Sequence, residues 1–171
     1  MTVQTRPEPA DAAGLQLDAY LPYRLSVASN AVSRLIARAY EDRFGLTIPQ
    51  WRLVCVLAED GPMNQSALVS RTGMDKVTVS RAAQGLTKRH LLERSENDRD
   101  GRSHVVALSL EGVRLHAEIA PLALAYEAAL ISGLDPHEVA LLKRLLLRLQ
   151  GAAGVLAGEA PSPGQVLNSE S

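Results

Sequence analysis

Lys76, Val77, Ser80, Arg81 and Gln84 recur at helical spacing between Asp75 and Arg89 and so share one face. Opposite them, Val79, Ala82, Ala83 and Leu86 make an apolar stripe that faces a core. The outward types suit the major groove of DNA. Arginine can bond the acceptors of guanine, glutamine can bond adenine, serine can bond either a base or phosphate, and valine can touch a thymine methyl. Thr78 lies in the same first turn, and backbone amides at the start of the helix attract phosphate. Asn64 and Gln65, which open the preceding short helix, and Lys88, near the end of this one, belong to the same expected DNA-contacting set. For any single residue of the set, a solvated surface position is the plain alternative.

A second chemical feature follows directly. The run Glu96-Asn97-Asp98-Arg99-Asp100-Gly101-Arg102 separates two short alternating segments and reads as the tip of a hairpin. Asp98 or Asp100 can pair with Arg102 to shape the loop, with Gly101 in the turn. An arginine at such a tip suits the enhanced negative potential of a narrow minor groove. The residues alone leave open whether Arg99 or Arg102 reaches it.

The rest of the chain argues against other chemistry. His90, His104, His116 and His137 have no metal-ligand spacing, and no nucleophile–base constellation or phosphate-binding glycine loop is evident. No enzymatic activity and no cofactor are expected. The single cysteine, Cys55, lies between Val54 and Val56 in an apolar stretch, which reads as core and fits a reducing, cytoplasmic setting. Net charge is −1, with 46% hydrophobic and 22% charged residues, the composition of a globular protein with no membrane-spanning run. Local charge is more informative. From Gly61 to His104, eight basic residues (Arg71, Lys76, Arg81, Lys88, Arg89, Arg94, Arg99, Arg102) face five acidic ones (Asp75, Glu93, Glu96, Asp98, Asp100). A two-fold dimer would double that excess on one side.

Elements must hold these residues in place. Residues 1–17 read as a disordered arm. A long helix is expected from Tyr20 to Phe44, ended by Gly45, and a second one starts at Thr47 with Pro49 in its first turn. The short helix Gln65–Ser70, capped by Asn64, then gives way at Thr72-Gly73-Met74 to the reading helix. Strands are expected at Leu92–Ser95 and Val105–Leu108. Ser109 caps another long helix to about Ile131, with a bend expected near Pro121, and Asp135-Pro136 opens the last, through Gln150. The tail 151–171 reads as flexible. Leu134, Val139, Leu141, Leu142, Leu145, Leu146, Leu147 and Leu149 cover more than one face of the last helix, which therefore wants partners on several sides.

The expected fold is mainly α: a winged helix-turn-helix lobe at 46–108, a small β-hairpin wing, and long dimerisation helices at 18–45 and 109–150. The expected role is a homodimer that binds double-stranded DNA. A winged-helix module that binds protein instead of DNA is the alternative.

Several of these residues resemble the MarR-type bacterial transcriptional regulators. Leu46-Thr47 and Trp51 are similar to the start of the family's second helix, and Asp75-Lys76-Val77-Thr78-Val79-Ser80-Arg81 with Leu86 is similar to its recognition helix. Asp100-Gly101-Arg102, followed by Val106, Leu108, Ser109 and Gly112, resembles its wing pattern of Asp-Arg-Arg then Leu-Thr-x-x-Gly. The likeness covers about residues 18–150 and departs at Gly101, where the family has arginine, and at Ser109, where it has threonine.

The resemblance implies a dimer built from the first and last helices, a palindromic operator, and DNA affinity tuned by a small molecule or an oxidant. An oxidant is disfavoured because Cys55 has no partner cysteine. Family ligands sit between the dimer helices and the DNA-binding lobe. There Tyr20, Tyr23, Arg24, Val27 and Asn30 of the first helix and Trp51, Arg52 and Cys55 of the second offer aromatic surface beside guanidinium. That composition suits an aromatic carboxylate or an aromatic acyl-CoA. The run Leu21-Pro22-Tyr23-Arg24-Leu25-Ser26-Val27 with Asn30 resembles members that sense hydroxycinnamoyl-CoA or related compounds. Repression, relieved by such an effector, is the default expectation, and a regulator without a ligand is the alternative within the family.

Overall fold

A computed structural model of the chain describes residues 14–97 and 100–158. In chain order the elements are α1 (Leu21–Phe44), α2 (Ile48–Asp60), β1 (Met63–Asn64), α3 (Gln65–Thr72), α4 (Lys76–Lys88), β2 (Leu92–Asn97), β3 (Asp100–Leu108), α5 (Leu110–Leu130) and α6 (Pro136–Leu156). The mainly helical winged architecture is as expected from sequence.

Local chemistry sets most boundaries. Gly45, at φ 61°, ends α1 in the left-handed conformation that lacks a penalty only for glycine. Thr47 begins α2 through a capping box. Its hydroxyl accepts from the Gln50 amide at 3.4 Å, and the Gln50 side chain accepts from the Thr47 amide at 3.0 Å. Asp135 and Glu138 make the same reciprocal pair at the start of α6, both bonds at 2.9 Å.

Four features differ from expectation. The sheet has three strands in the order β1-β3-β2, not two, because Met63 and Asn64 pair with Val106 and Val105. Two residues are too short for any periodicity to reveal. The wing strands also reach further than the apolar alternation, to Asn97 on one side and from Asp100 on the other. Antiparallel pairing is a backbone property and does not require apolar side chains. Helix α3 continues past Ser70 to Thr72. Helix α6 continues to Leu156, so the segment 151–156 is helical rather than part of a loose tail. Ala152 and Ala153 favour helix enough to offset Gly151 and Gly154. The expectations for the arm over residues 1–13, for Asp98 and Arg99, and for the tail beyond 158 lie outside the described residues.

The core lies in the lobe between α2, α3, α4 and the sheet. Leu53, Val54, Leu68, Val79 and Leu86 are fully buried there, with Leu57, Leu92 and Val106 around them. Tyr40, Phe44 and Leu46 from the end of α1 and Ile119 from α5 close it. Each such side chain contributes roughly 1.5–3 kcal/mol by leaving water. Helix α6 is different: none of its residues is buried, and Leu142, Leu145, Leu146 and Leu149 are exposed. No described helix is long and apolar enough to cross a membrane.

Candidate nucleic-acid interface

Helices α3 and α4 are joined by a turn with its own internal bonding. The Thr72 hydroxyl is buried and donates to the Leu68 carbonyl, while accepting from the Met74 amide at 3.4 Å. Gly73, at φ 64°, makes the left-handed step between the helices. Asp75 then caps α4, accepting from the Thr78 amide at 2.8 Å and from its hydroxyl at 2.6 Å. Those bonds hold the Asp75 carboxyl below the usual carboxylate range.

One face of α4 is committed to the core through Val79, Ala82, Ala83 and Leu86. The other presents Lys76, Val77, Arg81, Gln84 and Lys88 to solvent. Val77 is 57% exposed, unusual for valine on a helix that buries its opposite stripe. Ser80 is half-buried and bonded to the Gln84 amide nitrogen, which donates to its hydroxyl at 3.2 Å. Gly85 lets α2 approach from behind: a Cβ there would stand 2.5 Å from the Gln50 side-chain nitrogen.

The structure separates the expected DNA-contacting set into groups. Lys76, Val77, Arg81, Gln84 and Lys88 share the open face, with Ser80 at its edge. Thr78 departs from expectation. It is half-buried, and its hydroxyl is engaged by Asp75, so its evident role is in the cap. Asn64 and Gln65 are half-buried at the start of α3, where the Asn64 side chain accepts from the Ala67 amide at 2.9 Å. Asp100, Gly101 and Arg102 lie on the outer part of β3, where Asp100 is opposite Asn97. Asp98 and Arg99, at the tip, are outside the described residues.

Two of the basic residues counted toward the local positive charge have internal partners. Arg71 donates to Asp60 at 2.6 Å and stands 3.4 Å from Glu59, which raises its already high pKa, the Asp60 hydrogen bond contributing most. Arg89 turns toward the end of α1 and bonds the carbonyls of Phe44 and Gly45, both at 2.8 Å. Charge counting could not separate these from the cations on the open face of α4, because their partners are remote or on another helix.

The expected ligand residues are also divided. Tyr20, Tyr23, Arg24, Val27 and Asn30 are exposed on and just before the first half of α1. Trp51 packs instead with Tyr40, ring centroids 5.2 Å apart, and stacks on His116 of α5 at 5.7 Å with 20° between planes. Tyr40 and His116 were not singled out from sequence, since no local pattern signals a contact between three separate helices. Arg52 is exposed and Cys55 half-buried. Burial, with a smaller contribution from Glu59, pushes the Cys55 thiol up from 9.0 to about 12, opposite to the shift a redox-active thiol needs. A half-open cavity of about 320 Å³ lies nearby, lined by Leu57, Ala58, Pro62, Ala107, Leu108, Val113 and His116. No residue of the expected ligand set lines it. Among the described residues no group of three His, Cys, Asp or Glu side chains could hold a metal ion.

Residues 44–103, which carry this interface, match the sequence model described as MarR family. The chain is 25% identical over 126 residues to the HTH-type transcriptional regulator MgrA of Staphylococcus aureus, covering 74% of this chain and 84% of that one. Its structure is similar to that of a probable transcriptional regulator from Pseudomonas aeruginosa, at 32% identity and a TM-score of 0.70, over 78% of this chain and 99% of the other. It is also similar to BpsR of Bordetella bronchiseptica, whose DNA binding is regulated by 6-hydroxynicotinic acid. That match has 25% identity and a TM-score of 0.74, over 80% and 97% of the two chains.

Proposed function

We propose that the chain is a MarR-family DNA-binding transcriptional regulator, a homodimeric repressor of a palindromic operator, released by a small aromatic effector. The observation that carries the DNA-reading part is the face of α4. Arg81, Gln84 and Val77 stand exposed on a helix whose other side is anchored in the core. A rigidly held helix can discriminate bases, because each bidentate contact is worth roughly 1–3 kcal/mol only when its geometry is fixed. Lys76 and Lys88 bracket the same face and supply phosphate contacts, which position the helix without reading sequence.

The dimer is supported by the unsatisfied apolar surface at both ends of the chain. Leu21, Tyr23, Val27 and Leu35 on α1, Leu124 and Leu130 on α5, and Leu142, Leu145, Leu146, Leu147 and Leu149 on α6 are all exposed in the single chain. Contiguous apolar surface on this scale marks an interface. A second copy related by a two-fold axis would bring two α4 helices to successive turns of one duplex, about 34 Å apart.

The effector reading draws on the neighbour regulated by 6-hydroxynicotinic acid and on the aromatic character of the junction between α1, α2 and α5. An effector that prefers the DNA-incompetent dimer a hundredfold lowers operator affinity by the same factor, about 2.7 kcal/mol of coupling. The ligand class is an aromatic carboxylate or its CoA thioester, recognised by ring stacking and a guanidinium such as that of Arg24.

The test is a selection of duplexes from a random pool with the full-length protein, followed by titration of aromatic acids and their thioesters against the selected complex. Enrichment of an inverted repeat by a sedimenting dimer is expected, with at least one compound dissociating it. A monomer at micromolar concentration, or a pool that enriches nothing, ends the operator reading. An enriched repeat that no compound dissociates ends only the effector part.

A further inference from the structure

Arg89 is the C-cap residue of α4, and its backbone amide donates to the Leu86 carbonyl. Its side chain leaves the open face of α4 on which the neighbouring Lys88 lies. Nη1 donates to the Gly45 carbonyl and Nη2 to the Phe44 carbonyl, each at 2.8 Å. Those two carbonyls belong to the last turn and cap of α1, where carbonyl groups lack helical partners and the helix dipole is negative. A planar guanidinium bonding two adjacent acceptors constrains direction as well as distance.

The other contacts at this end of α1 are of a different kind. Tyr40 packs on Trp51, and Phe44 and Leu46 enter the core. Apolar packing of this sort holds the helix end down but is not directional. Beyond it, α1 carries Leu21, Tyr23, Val27 and Leu35, all exposed. With 24 residues, α1 is about 36 Å long. A tilt of about 10° at its C-terminal end therefore moves the far end by roughly 6 Å, nearly two base-pair steps of about 3.4 Å.

We propose that Arg89 is a positioning residue that sets the angle between α4 and α1, and through it the half-site spacing accepted by the dimer. It acts through the Phe44 and Gly45 carbonyls and does not touch DNA. The proposal rests on the reading of this chain as an operator-binding dimer.

The experiment uses the duplex that wild-type protein selects from a random pool, and the same duplex with one base pair added or removed between the half-sites. Wild type, Arg89→Met and Arg89→Lys are each titrated at several salt concentrations. Arg89→Met is expected to bind the selected duplex about tenfold more weakly, with the salt dependence unchanged and with discrimination among the three spacings reduced. Arg89→Lys, which keeps the charge but loses the fork, should fall between. A salt slope lowered by about one would make Arg89 a phosphate contact and overturn the proposal. Unchanged spacing discrimination would overturn it as well. Binding to random-sequence duplex serves as the folding control, since it requires no fixed spacing. If Arg89→Met loses that too, the Arg89→Lys spacing profile decides. A wild-type protein that selects no duplex refutes the operator reading itself, an outcome distinct from a variant that shares the wild-type spacing preference.

Discussion

The Ser109 hydroxyl donates to the His90 carbonyl at 2.7 Å and accepts from the Gly112 amide at 3.0 Å. One buried side chain thereby ties the exit of the reading helix to the entry of α5. His90 has φ 58°, the sole non-glycine residue at positive φ among the described residues. It is held there by Ser109 and by bonds from its own amide to Thr87 and from the Leu91 amide to Leu86. A non-glycine residue in the left-handed region is strained by roughly 1–2 kcal/mol. Two opposite outcomes are expected in urea denaturation. His90→Gly should stabilise by about 0.5–1 kcal/mol, the relieved strain less the added freedom of the unfolded chain. Ser109→Ala should destabilise by about 1–2 kcal/mol, since it removes a helix cap and leaves the part-buried His90 carbonyl short of a donor. A His90→Gly midpoint at or below wild type would show that the histidine side chain contributes an interaction larger than the strain.

Gly112 lies one turn further on and is buried. A Cβ there would stand 2.2 Å from the Leu91 carbonyl oxygen and 3.2 Å from a Leu108 methyl. The first neighbour is backbone and cannot rotate away, so α5 must shift. Gly112→Ala is expected to cost about 1–3 kcal/mol despite the better helix propensity of alanine. Thermal unfolding measures it. An unchanged melting temperature would mean that α5 and the wing root slide freely past one another.

Arg81 and Lys88 lie on the same open face but should fail differently. Arg81→Ala is expected to weaken binding to the selected duplex by about 1–3 kcal/mol and to relax one base preference. Lys88→Ala should weaken selected and random duplexes alike and lower the salt slope by about one. Titrations of both variants on both duplexes separate the roles. Equal loss on the two duplexes for Arg81→Ala would reassign it to phosphate.

Cys55 supplies a pH signature. Its thiol is pushed from 9.0 up to about 12 by burial, then by Glu59. Above pH 9 the unfolded chain loses this proton while the folded chain keeps it. Stability therefore falls as pH rises from about 9 toward about 12, and this group has no effect below that window. Cys55→Ala should flatten the part of the alkaline stability profile that wild type shows there. At neutral pH the folded protein should react slowly with iodoacetamide. Rapid alkylation at pH 7 would show that the thiol is more ionised or more accessible than its surroundings imply.

The elements and their caps were legible in the sequence because their causes are local. Thr47, Asn64, Asp75, Ser109 and Asp135 each cap the helix that follows, and Gly45 and Gly73 each end one, through bonds spanning three or four residues. The exposed set on α4 was legible for the same reason, since helical spacing alone opposes Arg81 and Gln84 to Val79 and Leu86. Only tertiary structure decided which cations remain on that face. Arg71 is drawn to Asp60 and Arg89 to the end of α1, across 11 and 44 residues respectively. It also decided that Trp51 packs between Tyr40 and His116, and that Met63-Asn64 adds a third strand. Such contacts depend on where the chain returns to itself, and the alternation of apolar and polar side chains carries no record of that distance.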